Sequence, residues 1–172
     1  MSKPNIILTG FMATGKTVTG KMLAEQLSYE FVDTDALIVK RSGMSVAEIF
    51  DKKGEAAFRR MERELAKELG DREGLVVSTG GGLMLDPANV TALSRRGRVF
   101  CLAATPGEIF DRVSNDKQIE RPLLDVDNPI HHIMEMMKQR AEGYGRFPQI
   151  VTSGKTPEEV TRSLLSNFDP HM

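Results

Sequence analysis

A strand-like apolar run, a glycine-rich loop and a helix-like run follow one another near the start of the chain, and this succession constrains the fold more than any other feature. The loop matches the phosphate-binding pattern G-x-x-x-x-G-K-[ST] at every defined position and reads Gly10-Phe-Met-Ala-Thr-Gly15-Lys16-Thr17. An apolar run precedes it, and apolar residues at helical spacing follow it. The alternative, a glycine-rich turn with a chance lysine, does not account for this context. The pattern therefore predicts a nucleoside triphosphate site between the first strand and the first helix.

The chemistry of phosphate binding explains each residue that this loop requires. Glycines let the backbone N–H groups point at phosphate oxygens, and the helix that follows adds the positive end of its dipole. Lys16 would reach the β- and γ-phosphates, and the Thr17 hydroxyl would ligate Mg²⁺. The loop residues that we expect to bind ATP are Gly10, Met12, Ala13, Thr14, Gly15, Lys16, Thr17 and Val18.

Beyond the loop, short apolar runs alternate with helical segments along the whole chain. The predicted strands are Asn5 to Leu8, Phe31 to Asp33, Leu75 to Ser78, Val99 to Ala103 and Gln149 to Val151. Hydroxyl and carboxylate pairs typical of capping boxes predict helix starts at Ser45, Thr105 and Thr156, and proline at the first helical position predicts two more after Asp86 and Asn128. This alternation predicts an α/β fold whose mostly parallel sheet is covered by helices on both faces. We expect residues 1–172 to form a single domain.

Composition narrows the range of partners and locations. The net charge is -1, and a protein that binds nucleic acid would show a basic excess or patch. No uncharged stretch approaches the roughly 20 residues that a membrane-crossing helix needs. The single cysteine, Cys101, excludes an internal disulfide and fits a reducing compartment. We therefore expect a cytoplasmic protein that acts on small molecules and binds neither nucleic acid nor membrane.

Two carboxylates, Asp33 and Asp35, follow the second predicted strand. The carboxyl ends of parallel strands border the ligand crevice, so both side chains would face the triphosphate. One could hold Mg²⁺ through water while the other meets the phosphoryl acceptor. The alternative for either residue is an N-cap of the next helix.

A predicted helix carries Arg59 and Glu62 three residues apart. Helical geometry places Glu62 beside the apolar stripe, where a carboxylate needs a cation, and Arg59 is a candidate to supply it. An ordinary surface ion pair is the alternative. After the third strand, Gly80, Gly81 and Gly82 suit a backbone that presses against a ligand, with a tight turn as the alternative.

A polar and charged segment, about residues 114–127, lies between two helix signals and carries Arg121-Pro-Leu-Leu in its middle. Phosphoryl transfer would use a mobile lid with one arginine to exclude water and neutralise developing charge. A plain surface loop is the alternative.

These motifs together, in this order and spacing, resemble the shikimate kinase family from Asn5 to about Leu165. The resemblance implies a three-layer αβα fold of the P-loop kinase type, with a five-stranded parallel sheet and a lid. It implies transfer of the γ-phosphoryl of ATP, with Mg²⁺, to the 3-hydroxyl of shikimate in the pathway to chorismate and the aromatic amino acids. It also favours a monomer.

By position, the resemblance also implies roles for individual residues. Lys16, Asp35 and Arg121 would be catalytic, and Arg112, Arg121 and Lys155 would join the loop residues at ATP, with Asp33 near the waters of Mg²⁺. Shikimate would be bound by Asp35, Arg59, Gly80, Gly81, Gly82 and Arg140.

The chain departs from the family pattern near Arg140. The family usually has Arg-x-Pro-Leu-Tyr, whereas this chain reads Arg140-Ala-Glu-Gly143-Tyr144. We expect Gly143 to loosen the local packing. The stretch from Arg112 to Arg121 also looks slightly longer than in compact members.

Two other functions are alternatives for a chain with this phosphate loop. A GTPase switch would need Asp-x-x-Gly just after the third strand, but Asp71-Arg-Glu-Gly74 precedes it. Another small-molecule kinase on the same scaffold, acting on gluconate or a nucleotide, shares the phosphate loop. The absence of tryptophan and an aromatic content of only 6% argue against a nucleotide acceptor.

Overall fold

The computed structural model describes residues 3–116 and 126–168 of the chain. All neighbouring strands of its sheet run parallel, in the order β2-β3-β1-β4-β5. The strands are β1 (Asn5–Thr9), β2 (Glu30–Asp33), β3 (Leu75–Ser78), β4 (Gly97–Ala103) and β5 (Gln149–Val151). The five strands match the five predicted ones, except that β1 ends one residue later, β2 begins one residue earlier and β4 begins two residues earlier.

Helices occupy most of the connections between these strands. They are α1 (Lys16–Leu27), α2 (Thr34–Ser42), α3 (Val46–Lys53), α4 (Glu55–Gly70), α5 (Pro87–Ser94), α6 (Pro106–Asn115), α7 (Pro129–Gly145) and α8 (Pro157–Asn167), with a short 3-10 helix at Leu83–Leu85. No helix within 3–116 or 126–168 combines the length and the apolar character needed to span a membrane.

The predicted helix starts are confirmed, and each is made by the expected side chain. Ser45, Thr105 and Thr156 all form complete capping boxes with the glutamate three residues later. Asp86 and Asn128 each precede a proline at the start of a helix, and the side chain of each accepts a hydrogen bond from a backbone N–H of that helix. These bonds satisfy helix N–H groups that lack an intrahelical partner, which is why the local sequence determines where the helices begin.

Successive residues of the central strands face opposite sides of the sheet, and each side is covered by helices. Ile7, Val77 and Val99 pack with residues of α4 and α5 on one side. Ile6 and Leu8 pack with residues of α1 and α8 on the other. The fold is therefore the predicted three-layer αβα sandwich around a five-stranded parallel sheet.

The connections after β1 and β3 leave from the middle of the sheet, because β1 lies between β3 and β4. Strands β2 and β3 lie on one side of β1, and β4 and β5 lie on the other. The side of β1 on which the chain adds strands therefore reverses after β3. Ligands of open α/β sheets bind at such a reversal, outside the carboxyl ends of the strands. A ligand is therefore expected near the loop after β1, the start of α2 and the turn after β3.

Candidate functional site

The loop between β1 and α1 has a backbone that its glycines make possible. Gly10 and Gly15 have φ values of 131° and 95°, a region that side chains disfavour. A Cβ on Gly10 would also lie 2.3 Å from the carbonyl oxygen of Leu102 on β4. The loop therefore sits against the carboxyl edge of the sheet, and α1 begins directly at Lys16.

The Lys16 ammonium lies inside the loop that precedes it. Its Nζ donates to the carbonyl oxygens of Gly10 at 2.8 Å and Phe11 at 2.7 Å. Withdrawal from water lowers the pKa of Lys16 to about 8, although the carboxylates of Asp35 and Asp33 oppose that change. These carbonyl oxygens carry only partial negative charge. A bound triphosphate would offer the Lys16 ammonium fully charged oxygens in their place.

Asp33 ends β2 and has two contacts at the mouth of the loop. Its Oδ1 accepts the N–H of Ala36 at 3.0 Å and so caps α2, while its Oδ2 lies 3.4 Å from the hydroxyl oxygen of Thr17. The two interpretations of this residue, helix cap and partner of the phosphate loop, are therefore compatible. A hydroxyl and a carboxylate side by side offer the hard oxygen donors that Mg²⁺ prefers.

Asp35, in the first turn of α2, faces the turn after β3. Its Oδ1 is buried and has no hydrogen-bond partner, which leaves an acceptor free for a ligand. Burial raises the pKa of Asp35, and the neighbouring Asp33 raises it further, whereas Lys16 and Arg59 lower it.

The three glycines after β3 each lie against a different polar side chain. An added Cβ would come within 2.4 Å of Asp35 Oδ1 at Gly80, 2.8 Å of Arg140 Nη1 at Gly81 and 2.6 Å of Arg59 Nη1 at Gly82. The absence of side chains at these glycines thus lets one carboxylate and two guanidinium groups converge on the turn. The neighbours that come close to the glycine run here are protein side chains, and its predicted close approach to a ligand stays a prediction.

The position of this turn is fixed from both sides. The Gly80 N–H donates to the buried hydroxyl of Thr34 at 2.9 Å, and the Thr79 N–H donates to the carbonyl of Leu8 at 3.0 Å. Tyr144 on α7 donates from its hydroxyl to the carbonyl of Gly81 at 2.5 Å. The turn is therefore bonded to β1, α2 and α7.

Arg59 is held by two carboxylates on its own helix. Its Nη1 lies 2.7 Å from Glu62 Oε2, and its Nη2 lies 3.2 Å from Glu55 Oε1. The Glu62 side chain is only 2% exposed, as its place beside the apolar stripe predicted. Burial raises the pKa of Glu62, against the hydrogen bond and the charge of Arg59. Glu62 is thus a buried carboxylate that holds the partly exposed guanidinium of Arg59, and the pair is not the ordinary surface pair that was the alternative.

Arg140 approaches the turn from α7 and lies over the phosphate loop. Its guanidinium carbon is 5.5 Å from the centre of the Phe11 ring, at cation–π distance. Phe11 is itself buried, and its carbonyl accepts from Lys16. Phe11 therefore contacts both Arg140, which lies at the glycine turn, and Lys16, which lies in the phosphate loop.

The expectation that Gly143 loosens the packing near Arg140 is wrong. A Cβ at Gly143 would lie 2.4 Å from Leu85 Cδ2, so the missing side chain is replaced by a leucine from the 3-10 helix after the glycine turn. Gly143 is buried. The glycine brings α7 close to this segment, and with it Arg140 and Tyr144.

A cavity of about 410 Å³ opens beside the phosphate loop, apart from the glycine turn. Ala13, Thr14, Gly15 and Val18 line it from the loop and α1, and Arg112 and Lys155 line it from α6 and the segment before α8. Arg112 also donates from Nη1 to the carbonyl of Ala13 at 2.8 Å. These residues, all expected at ATP, thus surround one space next to the phosphate loop.

Several contacts of the site were not predicted from the sequence. Among them are the Tyr144 bond to Gly81, the Phe11 ring under Arg140, and a bond from Ser153 to Glu108 beside the cavity. Each joins segments far apart in the chain. Residues 117–125 of the predicted lid, which include Arg121, lie outside the described residues.

Comparison with known proteins agrees with this arrangement. The family model for shikimate kinase matches residues 12–169. A shikimate kinase from Thermodesulfovibrio yellowstonii is 40% identical over 166 residues, which cover 96% of this chain and 95% of that protein. One from Caldanaerobacter subterraneus subsp. tengcongensis is 43% identical over 166 residues, with 95% of each chain covered.

Solved structures agree as well. Shikimate kinase from Acinetobacter baumannii in complex with shikimate has a TM-score of 0.86 and 35% identity, covering 96% of this chain and 92% of that one. A gluconokinase from Sinorhizobium meliloti shares only the fold, with a TM-score of 0.60 and 15% identity over 95% of this chain and 90% of its own. The family model, the relatives and the fold therefore agree that the chain belongs to the shikimate kinase family.

Proposed function

We propose that this protein transfers the γ-phosphoryl group of ATP to the 3-hydroxyl of shikimate, giving shikimate 3-phosphate and ADP. The observation that carries the proposal is the convergence of Asp35, Arg59 and Arg140 on three consecutive glycines beside the phosphate loop. Membership of the shikimate kinase family supports the choice of substrate.

Shikimate carries a carboxylate and hydroxyl groups on one ring, so a site for it needs cations at one end and an acceptor of a hydroxyl proton at the other. Arg59 and Arg140 would pair the carboxylate, because a guanidinium offers two parallel donors to two oxygens. The Glu62 and Glu55 carboxylates hold Arg59 in place before the substrate arrives. This preorganisation reduces the entropy that binding would otherwise cost.

Asp35 would receive the hydroxyl that is phosphorylated. Its unpartnered Oδ1 is a free acceptor at the glycine turn, and its raised pKa suits a group that takes a proton. As the oxygen of the acceptor hydroxyl bonds to the γ-phosphorus, the bond from that phosphorus to the β,γ-bridging oxygen breaks. The hydroxyl proton passes to Asp35, and ADP leaves with the bridging oxygen. The loose transition state of phosphoryl transfer needs little activation of the nucleophile, so orientation is the larger part of this role.

On the donor side, the phosphate loop and Lys16 would bind the triphosphate, and the cavity beside Arg112 and Lys155 would take the adenosine. Lys16 would exchange its two carbonyl partners for phosphate oxygens. Arg121, by its position in the family motif, would bring a further positive charge to the transferring group.

Thr17 and Asp33 would hold Mg²⁺, Thr17 directly and Asp33 through water. Their adjacent oxygens at the loop mouth fit such an ion. Bound Mg²⁺ neutralises charge on the β- and γ-phosphate oxygens. A cytoplasmic location and a monomeric state stay predictions.

The test is a side-by-side assay of ATP-dependent phosphorylation of shikimate, gluconate and AMP. We expect turnover with shikimate and at most trace activity with the other two. Preferred turnover of gluconate or AMP would assign the protein to another kinase activity on the same scaffold and would contradict the proposal.

A further inference from the structure

The cavity beside the phosphate loop is built from separate segments that must be held at a fixed distance. Helix α6 contributes Arg112, and the segment between β5 and α8 contributes Thr152 and Lys155. Arg112 bonds to the phosphate loop through Ala13, which fixes α6 on that side. The segment from residue 152 to 156, which we call the 152–156 loop, needs a tie of its own.

Glu108 provides such a tie. It lies on α6, one helical turn before Arg112, and its Oε1 accepts the N–H of Gly154 at 3.1 Å. Its Oε2 accepts from the hydroxyl of Ser153 and also from the N–H of Thr105 at 3.3 Å. One carboxylate thus caps α6 and bonds to two successive residues of the 152–156 loop.

Helix capping alone does not explain these bonds. The capping box of α3 uses Glu48, which bonds to Ser45 and, one turn further, to Lys52 on the same helix. Glu108 instead reaches a segment about 45 positions away. Hydrogen bonds from Ser153 first, and then from backbone N–H groups of Thr105 and Gly154, lower the pKa of Glu108 to about 2. At neutral pH the Glu108 side chain is therefore a carboxylate, which can accept all of these bonds.

We propose that Glu108 is a positioning residue of the nucleotide site, which fixes the 152–156 loop against α6 and so sets the shape of the cavity that takes the adenosine of ATP. The inference rests on the proposed function only in that this cavity binds nucleotide. Without the tie, the loop would have to be ordered when nucleotide binds, and that entropy cost would appear as weaker affinity. Glu108 lines neither the acceptor turn nor the phosphate loop, so shikimate binding should not depend on it.

The experiment measures dissociation constants of ADP and shikimate separately by calorimetry. The variants are Glu108→Ala, which removes both loop bonds, and Ser153→Ala, which removes one and leaves the cap of α6 intact. Glu48→Ala is the matched control, because it deletes a capping box of the same kind away from the cavity. Glu108→Gln keeps an acceptor oxygen and should recover part of the loss.

We expect ADP affinity to fall about 10-fold in Glu108→Ala, since the loss of a hydrogen bond to a charged group corresponds to about that factor. Ser153→Ala should show a smaller fall, and Glu48→Ala none. Shikimate affinity should stay within about 2-fold in all four variants. In the activity assay, KM for ATP should rise while kcat at saturating ATP is nearly unchanged.

Unchanged ADP affinity in both Glu108→Ala and Ser153→Ala would overturn the inference. An equal loss in Glu48→Ala, or an equal loss of shikimate affinity, would show a general structural effect and would overturn it too. If Glu108→Ala does not fold, Ser153→Ala decides alone. Wild-type turnover of shikimate tests the proposed function separately, because ADP binding does not require a particular acceptor.

Discussion

The contact between Gly82 and Arg59 gives a sharp prediction for Gly82→Ala. The new Cβ would lie 2.6 Å from Arg59 Nη1 and 3.1 Å from its Cζ. Ordinary contacts between such atoms lie near 3.5 Å or beyond, so the guanidinium must retreat by roughly 1 Å. The backbone itself accepts alanine, because φ at Gly82 is -97°. The substitution therefore moves one arginine while the chain still folds.

The expected loss of shikimate affinity follows from the hydrogen bond between Arg59 and the shikimate carboxylate, which the retreat of Arg59 weakens. A hydrogen bond to a charged group contributes about 1.5 to 3 kcal/mol, which is about 10- to 150-fold in a dissociation constant. Retreat lengthens the bond without removing the charge, so we expect the lower end, about 10-fold weaker shikimate binding. Calorimetry with shikimate and with ADP measures the two halves of the site separately, and ADP affinity should be unaffected.

Gly145→Ala is the matched control, because a Cβ there meets no heavy atom within 4 Å. Circular dichroism would verify that both variants are folded. Unchanged shikimate affinity in folded Gly82→Ala, or the same loss in Gly145→Ala, would show that Gly82 does not determine the place of Arg59.

Three further predictions concern the groups around this turn. Because a bound phosphate favours charged Lys16, whose pKa is about 8 without it, ADP affinity should fall about 10-fold or more between about pH 7.5 and 9.5 in calorimetry; a flat profile would contradict this. Burial raises the pKa of Asp35, so kcat/KM for shikimate should fall as acid protonates it, above the pH expected for an ordinary aspartate. Asp35→Asn should abolish this fall along with most activity, and an unaltered profile would rule out the role. Gly143→Ala should displace the Leu85 side chain yet change the free energy of unfolding by less than about 1 kcal/mol, because Leu85 Cδ2 is the end of a flexible side chain and alanine favours the helix; a loss of more than about 2 kcal/mol in thermal unfolding would contradict this.

The secondary structure was largely predictable because its signals are local. Capping boxes at Ser45, Thr105 and Thr156 lie within four residues each, and the strands are short apolar runs in a sheet covered on both faces. The order of these elements then placed Asp35 and the glycine turn at one edge of the sheet. Fold class, strand positions and helix starts follow from such short-range patterns.

The site was less predictable where it depends on distant packing. The place of Arg140 follows from how closely α7 approaches the 3-10 helix, and that distance depends on Leu85 meeting Gly143. The sequence shows that residue 143 is glycine. It does not show which other side chain fills the space that a larger residue would occupy there. Glu108 illustrates the same difficulty, since its capping role is visible in the sequence and its bonds to the 152–156 loop are not.

Pairing of the shikimate carboxylate by two arginines is tested by measuring shikimate and ATP dissociation constants for the wild type, Arg59→Lys and Arg140→Ala. If both arginines pair the carboxylate, losing one should weaken shikimate binding about 10- to 150-fold. Arg59→Lys should retain part of the affinity because it keeps the charge without the planar fork, and ATP binding should be spared in both variants. The wild type should also discriminate strongly against an acceptor whose carboxylate is replaced by a neutral amide. Unchanged shikimate affinity in both variants, or equal phosphorylation of the amide and the acid, would contradict the account.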